Sequence, residues 1–251
     1  MNVSISWKHN LLLFICFSLF ALAHHSIAAE YHLESPAAWV NNTPTPAVES
    51  IPTDQISNGV YYRLVERQIR VTDTDKASYS RWVEMIVNQS GVEQSSQINI
   101  DFDPRYERIV MHGVSIIRNG QIIDKLKTAK ISVFNRESDL KKQIYNGEQT
   151  LNILIDDIQV GDTVDYHYTR EGQNPVYEGL FSYRAYLNWS VPVHDQIERV
   201  LWGKSVPLYV NTTQIDVPVE TKKIGKFTEY NIHVSQTPTL QMSDDTPSWY
   251  D

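Results

Sequence analysis

The stretch "LIDDIQVGDTVDYHYT", Leu154 to Thr169, places four aspartates and one histidine within sixteen residues. Asp165 and His167 are two positions apart, so on a strand they share a face, as two ligands of a metal or an acid/base pair would. The competing reading is a strand, a turn and a second strand. The flanking pattern decides between them. Leu151, Ile153 and Ile155 alternate with other residues, which is the period of a strand. Val160-Gly161-Asp162 makes a turn. Thr163 to Thr169 then alternates again, with Val164, Tyr166 and Tyr168 on one side and Thr163, Asp165, His167 and Thr169 on the other. A metal site needs at least a third ligand and a partner for the imidazole. His32, His112, His194 and His233 are instead scattered singly. The stretch therefore predicts architecture: a solvated polar face carrying Asp165 and His167, with Asp156 and Asp157 as turn formers.

The same grammar extends outward. Ile98, Ile100 and Phe102 alternate with Asn99 and Asp101 until Asp103-Pro104 ends the run. "SIIRNGQIID" sets Asn119-Gly120 between two apolar runs; both residues tolerate the positive φ of a type I′ turn, so a hairpin is expected. Phe181, Tyr183, Ala185 and Leu187 alternate, as do Tyr230, Ile232 and Val234. Short strands punctuated every ten residues or so predict an all-β fold, an antiparallel β-sandwich. One short helix is allowed in "RESDLKKQIYNG", where Leu140 and Ile144 stand at i, i+4 between Ser138 and Gly147.

Residues 1–28 read as a signal peptide. Lys8 precedes the apolar run "LLLFICFSLFALA", and Ser26-Ile27-Ala28 supplies the small-x-small cleavage pattern. Cleavage after Ala28 removes Cys16, the only cysteine, so the mature chain has no disulfide, thiolate ligand or cysteine nucleophile. Losing Lys8 as well leaves 21 of the 22 Lys and Arg against 30 Asp and Glu. That acidic balance argues against nucleic acid and against anionic membrane surfaces. No second apolar run follows, so no membrane insertion is expected once the signal is cleaved, and the expected location is the periplasm or the extracellular space. Residues 29–58, with Pro36, Pro44, Pro46 and Pro52, form a Pro-rich extended lead-in. Residues 59–236 form the β-sandwich domain and residues 237–251 a polar C-terminal tail.

"TLNILIDDIQVGDTVDYHYT" followed by "NPVYEGLF" resembles a bacterial domain of unknown function that precedes transglutaminase-like cores in exported proteins. "YRLVERQIRV", "YERIVMHGVSIIRNGQII" and "KISVFNRES" extend the resemblance over Val60 to Trp202, and more weakly to Val234. It implies a β-sandwich. Such a domain usually continues into a core with a Cys, His and Asp triad, about where "DDTPSWYD" stands. The mature chain has no cysteine to carry the nucleophile, so the triad transfers to no position here.

No G-x-S-x-G and no phosphate-binding glycine loop occurs. No catalytic, cofactor-binding or metal residue is assigned, no cofactor is expected, and Asp244-Asp245 reads as part of a solvated tail. The aromatic excess in "YEGLFSYRAYLNW" places Phe181 and Tyr183 inward and Arg184, Tyr186 and Asn188 outward. Arg184, Tyr186, Trp249 and Tyr250 are the candidate binding residues. The expectation is a non-catalytic interaction or scaffold module. Its partner would be a transglutaminase-like core encoded separately or another envelope protein. The alternative is a carbohydrate or cell-envelope binding module.

Overall fold

The computed structural model describes residues 31–136, 147–213, 217–237 and 239–240. Among them, nine strands form one large sheet. Its centre is β2 (Val60–Val71), β3 (Lys76–Ile86), β5 (Glu107–Arg118), β9 (Thr163–Gly172), β10 (Val193–Trp202) and β12 (Phe227–Thr237). The short strands β1 (Tyr31–Leu33), β6 (Gln121–Asp124) and β11 (Glu220–Ile224) lie at its margins. The order is β1-β5-β9-β3-β2-β10-β12-β11, with β6 hairpinned onto β5. A second sheet of three strands has β8 (Gln149–Leu154) between β4 (Gln97–Phe102) and β7 (Lys130–Asn135).

The fold is all-β. Most ladders are antiparallel, as expected, but the large sheet is mixed: β2 runs parallel to β10 and β1 parallel to β5. The sandwich core forms where the small sheet covers one end of the large one. Ile98, Ile100 and Phe102 of β4 and Leu151 and Ile153 of β8 close over Val60, Val65, Met111, Val114, Ile116 and Val164. Each such aliphatic side chain withdrawn from water contributes about 1.5–3 kcal/mol.

The Asn119-Gly120 hairpin is as the sequence predicts. Arg118 pairs with Gln121, and φ is 51° at Asn119 and 78° at Gly120. The helix allowed over residues 138–147 falls almost entirely outside the described residues. A short helix α1 (Gln89–Ser95) occurs elsewhere; Asn88 caps it by accepting a hydrogen bond from the Gly91 amide at 3.3 Å.

The strand expected over Phe181 to Leu187 is a correction. These residues join no ladder, although their side chains alternate between half-buried and exposed as predicted. The segment crosses the large sheet and is fastened by side chains: Gln196 Nε2 donates to the Tyr186 carbonyl (2.9 Å) and the Tyr183 hydroxyl donates to Glu198 (2.6 Å). An alternating sequence yields a strand only when a neighbouring backbone offers its hydrogen bonds, and here none does.

Candidate functional site

In the opening stretch, the turn is held by Arg118. Its guanidinium donates to both Asp162 oxygens at 2.8 Å and to Asp157 at 3.1 Å. Lys125 pairs with Asp156 at 2.9 Å. Asp157 has φ 59°, the left-handed conformation that aspartate tolerates. These carboxylates build the turn.

The face carrying Asp165 and His167 is not solvated, contrary to the expectation. The lead-in crosses it. Arg81 donates to both Asp165 oxygens (3.0 and 2.7 Å), to the Thr43 carbonyl (2.6 Å) and to the Thr45 hydroxyl (3.0 Å). The Gln68 amide exchanges two hydrogen bonds with the Asn41 backbone, both 2.8 Å, and is 0% exposed. Glu66, 2% exposed, accepts from Thr43, and burial raises its pKa. Arg199 donates to the Trp39 carbonyl at 2.8 Å. A polar face thus meets a polar cover, which satisfies groups that would otherwise need water.

His167 accepts or donates at Tyr79 (3.2 Å), and His112 bridges the Glu34 carbonyl and the Thr169 hydroxyl, each at 2.7 Å. Burial pushes the His167 pKa down to about 4, which favours the neutral ring in the fold. Among the described residues, no group of three or more His, Cys, Asp or Glu is placed to hold a metal ion.

Two other regions have the character of sites. The first is an apolar rim on the loops at residues 175–182 and 203–210, which are tied together by a hydrogen bond from Lys204 Nζ to the Gly179 carbonyl. Leu180 is 81% and Tyr209 89% exposed, and Val176, Tyr177 and Val206 also face solvent. Of the sequence candidates, Tyr186 is 58% exposed with the Arg184 guanidinium 5.9 Å from its ring centre. Trp249 and Tyr250 lie outside the described residues. Leu180 and Tyr209 were missed because a lone apolar residue in a loop has no periodic signature.

The second region is a cleft of about 170 Å³ on the inner face of the large sheet. It lies in the gap between the small sheet and the Phe181–Tyr183 segment. Arg67, Lys76, Ser78, Ser80, Tyr168 and Arg170 line it.

The chain belongs to the family DUF3857, a domain of unknown function, whose model matches residues 72–241. No curated protein matches it. Among solved structures, it is similar to a "putative protease" from Parabacteroides distasonis, 13% identical with a TM-score of 0.65, over 77% of this chain and 38% of that one. It thus spans well under half of that neighbour. Weaker likenesses include a CBM3a-L domain from a Clostridium thermocellum scaffoldin (15% identity, TM-score 0.28, covering 47% of this chain and 69% of that one). Another is an M1 zinc metallopeptidase from Deinococcus radiodurans (9% identity, TM-score 0.31, covering 70% and 39%).

Proposed function

We propose that the protein is an exported, non-catalytic module that works by docking onto a partner protein through the rim around Leu180 and Tyr209. The partner's proposed class is a transglutaminase-like or peptidase-like catalytic protein of the cell envelope. The exposed rim is the observation that carries the reading. Large apolar side chains clustered on two tethered loops mark contact surfaces, and burying Leu180 in a contact would contribute about 1.5–3 kcal/mol. The length relation to the Parabacteroides protein supports the choice of partner, because there a comparable fold occupies a fraction of a longer chain described as a protease. The acidic composition also fits a protein partner better than nucleic acid.

The test is a pull-down from the native envelope with the full mature chain and with Leu180→Ser/Tyr209→Ser. Both positions are exposed, so the variant should fold as the parent does. Recovery of a transglutaminase- or peptidase-like protein by the parent and its loss with the variant is the expected result. Equal recovery by both sinks the docking surface. Retention of the parent on insoluble envelope polysaccharide, with no protein partner, would replace this reading with carbohydrate binding.

A further inference from the structure

The inner-face cleft collects polar side chains on successive rungs of three strands. Lys76, Ser78 and Ser80 are alternate residues of β3. Ser78 pairs with Ile69 and Arg170, and Ser80 with Arg67 and Tyr168. All of these therefore project from the same face of the sheet. The small sheet covers the far end of that face, and Phe181 closes the near end by packing on Trp202 at 5.6 Å between ring centres. The serines between these covers are too small to fill the gap, so about 170 Å³ remains. Ser182 stands exposed at its mouth.

The donors in this space are largely unused. Among the described residues, the side chains of Lys76, Ser78, Ser80 and Tyr168 make no hydrogen bond. Arg170 Nη2 donates to the Asp101 carbonyl at 2.5 Å, but its Nε is buried without a hydrogen-bond partner, with Glu107 4.0 Å away. Arg67 makes a long contact of 3.3 Å to the Tyr183 hydroxyl, which itself donates to Glu198. Ser80 is buried and the others half-buried, so donors not committed to the protein converge on one partly enclosed space, where an anionic ligand with hydroxyl groups could engage several of them at once. Three cations, Arg67, Lys76 and Arg170, oppose two carboxyl groups, Glu107 and Glu198. The difference of one positive charge suits a monoanion.

We propose that this cleft binds a small hydroxylated monocarboxylate, or the carboxylate-bearing end of a larger one. The carboxylate sits between Lys76 and Arg170, where it receives charge-assisted hydrogen bonds. The ligand's hydroxyl groups meet Ser78, Ser80 and Tyr168. The size is consistent, since a cavity of about 150 Å³ accommodates a six-membered ring. Lys76 is half-withdrawn from water, and that desolvation lowers its pKa; a bound carboxylate would restore the charge balance. The cleft borders the 175–182 loop through Phe181 and Ser182, but Leu180 and Tyr209 do not line it, so substitutions at those two positions test the rim and Lys76→Met tests the cleft.

The experiment titrates the mature chain with D-glycerate, glycerol and inorganic phosphate, following the amide signals of Ser78, Ser80 and Tyr168 by NMR. Saturable shifts with glycerate, none with glycerol and weaker ones with phosphate are expected. Lys76→Met should weaken glycerate binding about tenfold or more while its melting temperature stays the same or rises, because a desolvated charge has been removed. Equal binding of glycerol would overturn the carboxylate assignment, and tighter binding of phosphate would overturn the monoanion. Undiminished binding by Lys76→Met, or no saturable shift at all, overturns the site.

Discussion

Gly113 and His167 face each other across the β5–β9 ladder, and a Cβ on Gly113 would lie 2.4 Å from His167 Nε2. The ladder's register shifts between Met111 and Gly113, a bulge that makes room for the imidazole. The ring cannot swing freely aside, because Tyr79 and His112 stand 5.9 and 5.8 Å from its centre. Gly113→Ala should therefore cost about 1–3 kcal/mol through overpacking. Adding His167→Ala should return part of that loss, a non-additivity expected of side chains in contact. Denaturant unfolding of the two single variants and the double variant measures it, and additive costs would show that the ring does not feel Gly113.

His167 also makes stability depend on pH. Burial sets its folded pKa at about 4, against about 6.5 for an unperturbed histidine. Asp165 pulls the value up, while His112 and Arg81 push it down. Above pH 6.5 the ring is neutral in both states and contributes nothing to the dependence. As pH falls from 6.5 to 4, the unfolded chain takes up a proton that the fold refuses, so stability falls by up to about 3 kcal/mol. Burial raises the pKa values of Glu66, Glu84 and Glu198, which oppose this trend. The measurement is therefore a difference: the stability advantage of the parent over His167→Asn should shrink between pH 7 and pH 4.5. A gap independent of pH would mean that His167 titrates normally.

Gly120 sits in open space, with no atom within 4 Å of an added Cβ, so any substitution cost there comes from the backbone. Forcing a β-branched residue to φ 78° with Gly120→Val should cost roughly 1–3 kcal/mol. Gly120→Asn should cost much less, because asparagine tolerates that region. Equal melting temperatures for both variants and the parent would show that the turn does not set the hairpin.

That hairpin was legible because Asn119-Gly120 encodes its geometry within two residues. The inward alternation of Ile98, Ile100 and Phe102 was legible for the same local reason. The β2–β10 pairing was not, since it joins Tyr62 to Val193 through two distant stretches with no shared local signal. The cover over Asp165 was missed because hydropathy identifies a polar face but cannot say whether water or another polar segment lies on it. Asp165 is only 14% exposed, under a lead-in whose prolines suggested a loose segment. The cleft was missed for a related reason. Arg67, Lys76 and Arg170 are far apart in the chain and meet only once three strands are in register.

The lead-in's attachment gives the last prediction. Arg81 holds Asp165 through two hydrogen bonds and the lead-in through Thr43 and Thr45. Burial works against the Arg81 cation, but the hydrogen bonds and charge of Asp165 outweigh it and raise its pKa. Breaking such a largely buried pair leaves one charge uncompensated, so Asp165→Leu alone should destabilise by about 3 kcal/mol. Arg81→Met alone should do similar harm and also free the Thr43 carbonyl and the Thr45 hydroxyl, leaving Thr43 held through its hydroxyl on Glu66. In the double variant, Arg81→Met/Asp165→Leu, neither member of the pair is left behind as a lone charge, and Glu66 keeps Arg199 as a neighbouring cation, so much of the stability should return. The tether to the lead-in should not return. Limited proteolysis should therefore cut residues 40–58 faster in both variants that lack Arg81 than in the parent, even where the melting temperature has recovered. If the double variant resists the protease as the parent does, the remaining bonds at Trp39, Asn41, Thr43 and Pro46 suffice, and Arg81 serves only to balance Asp165.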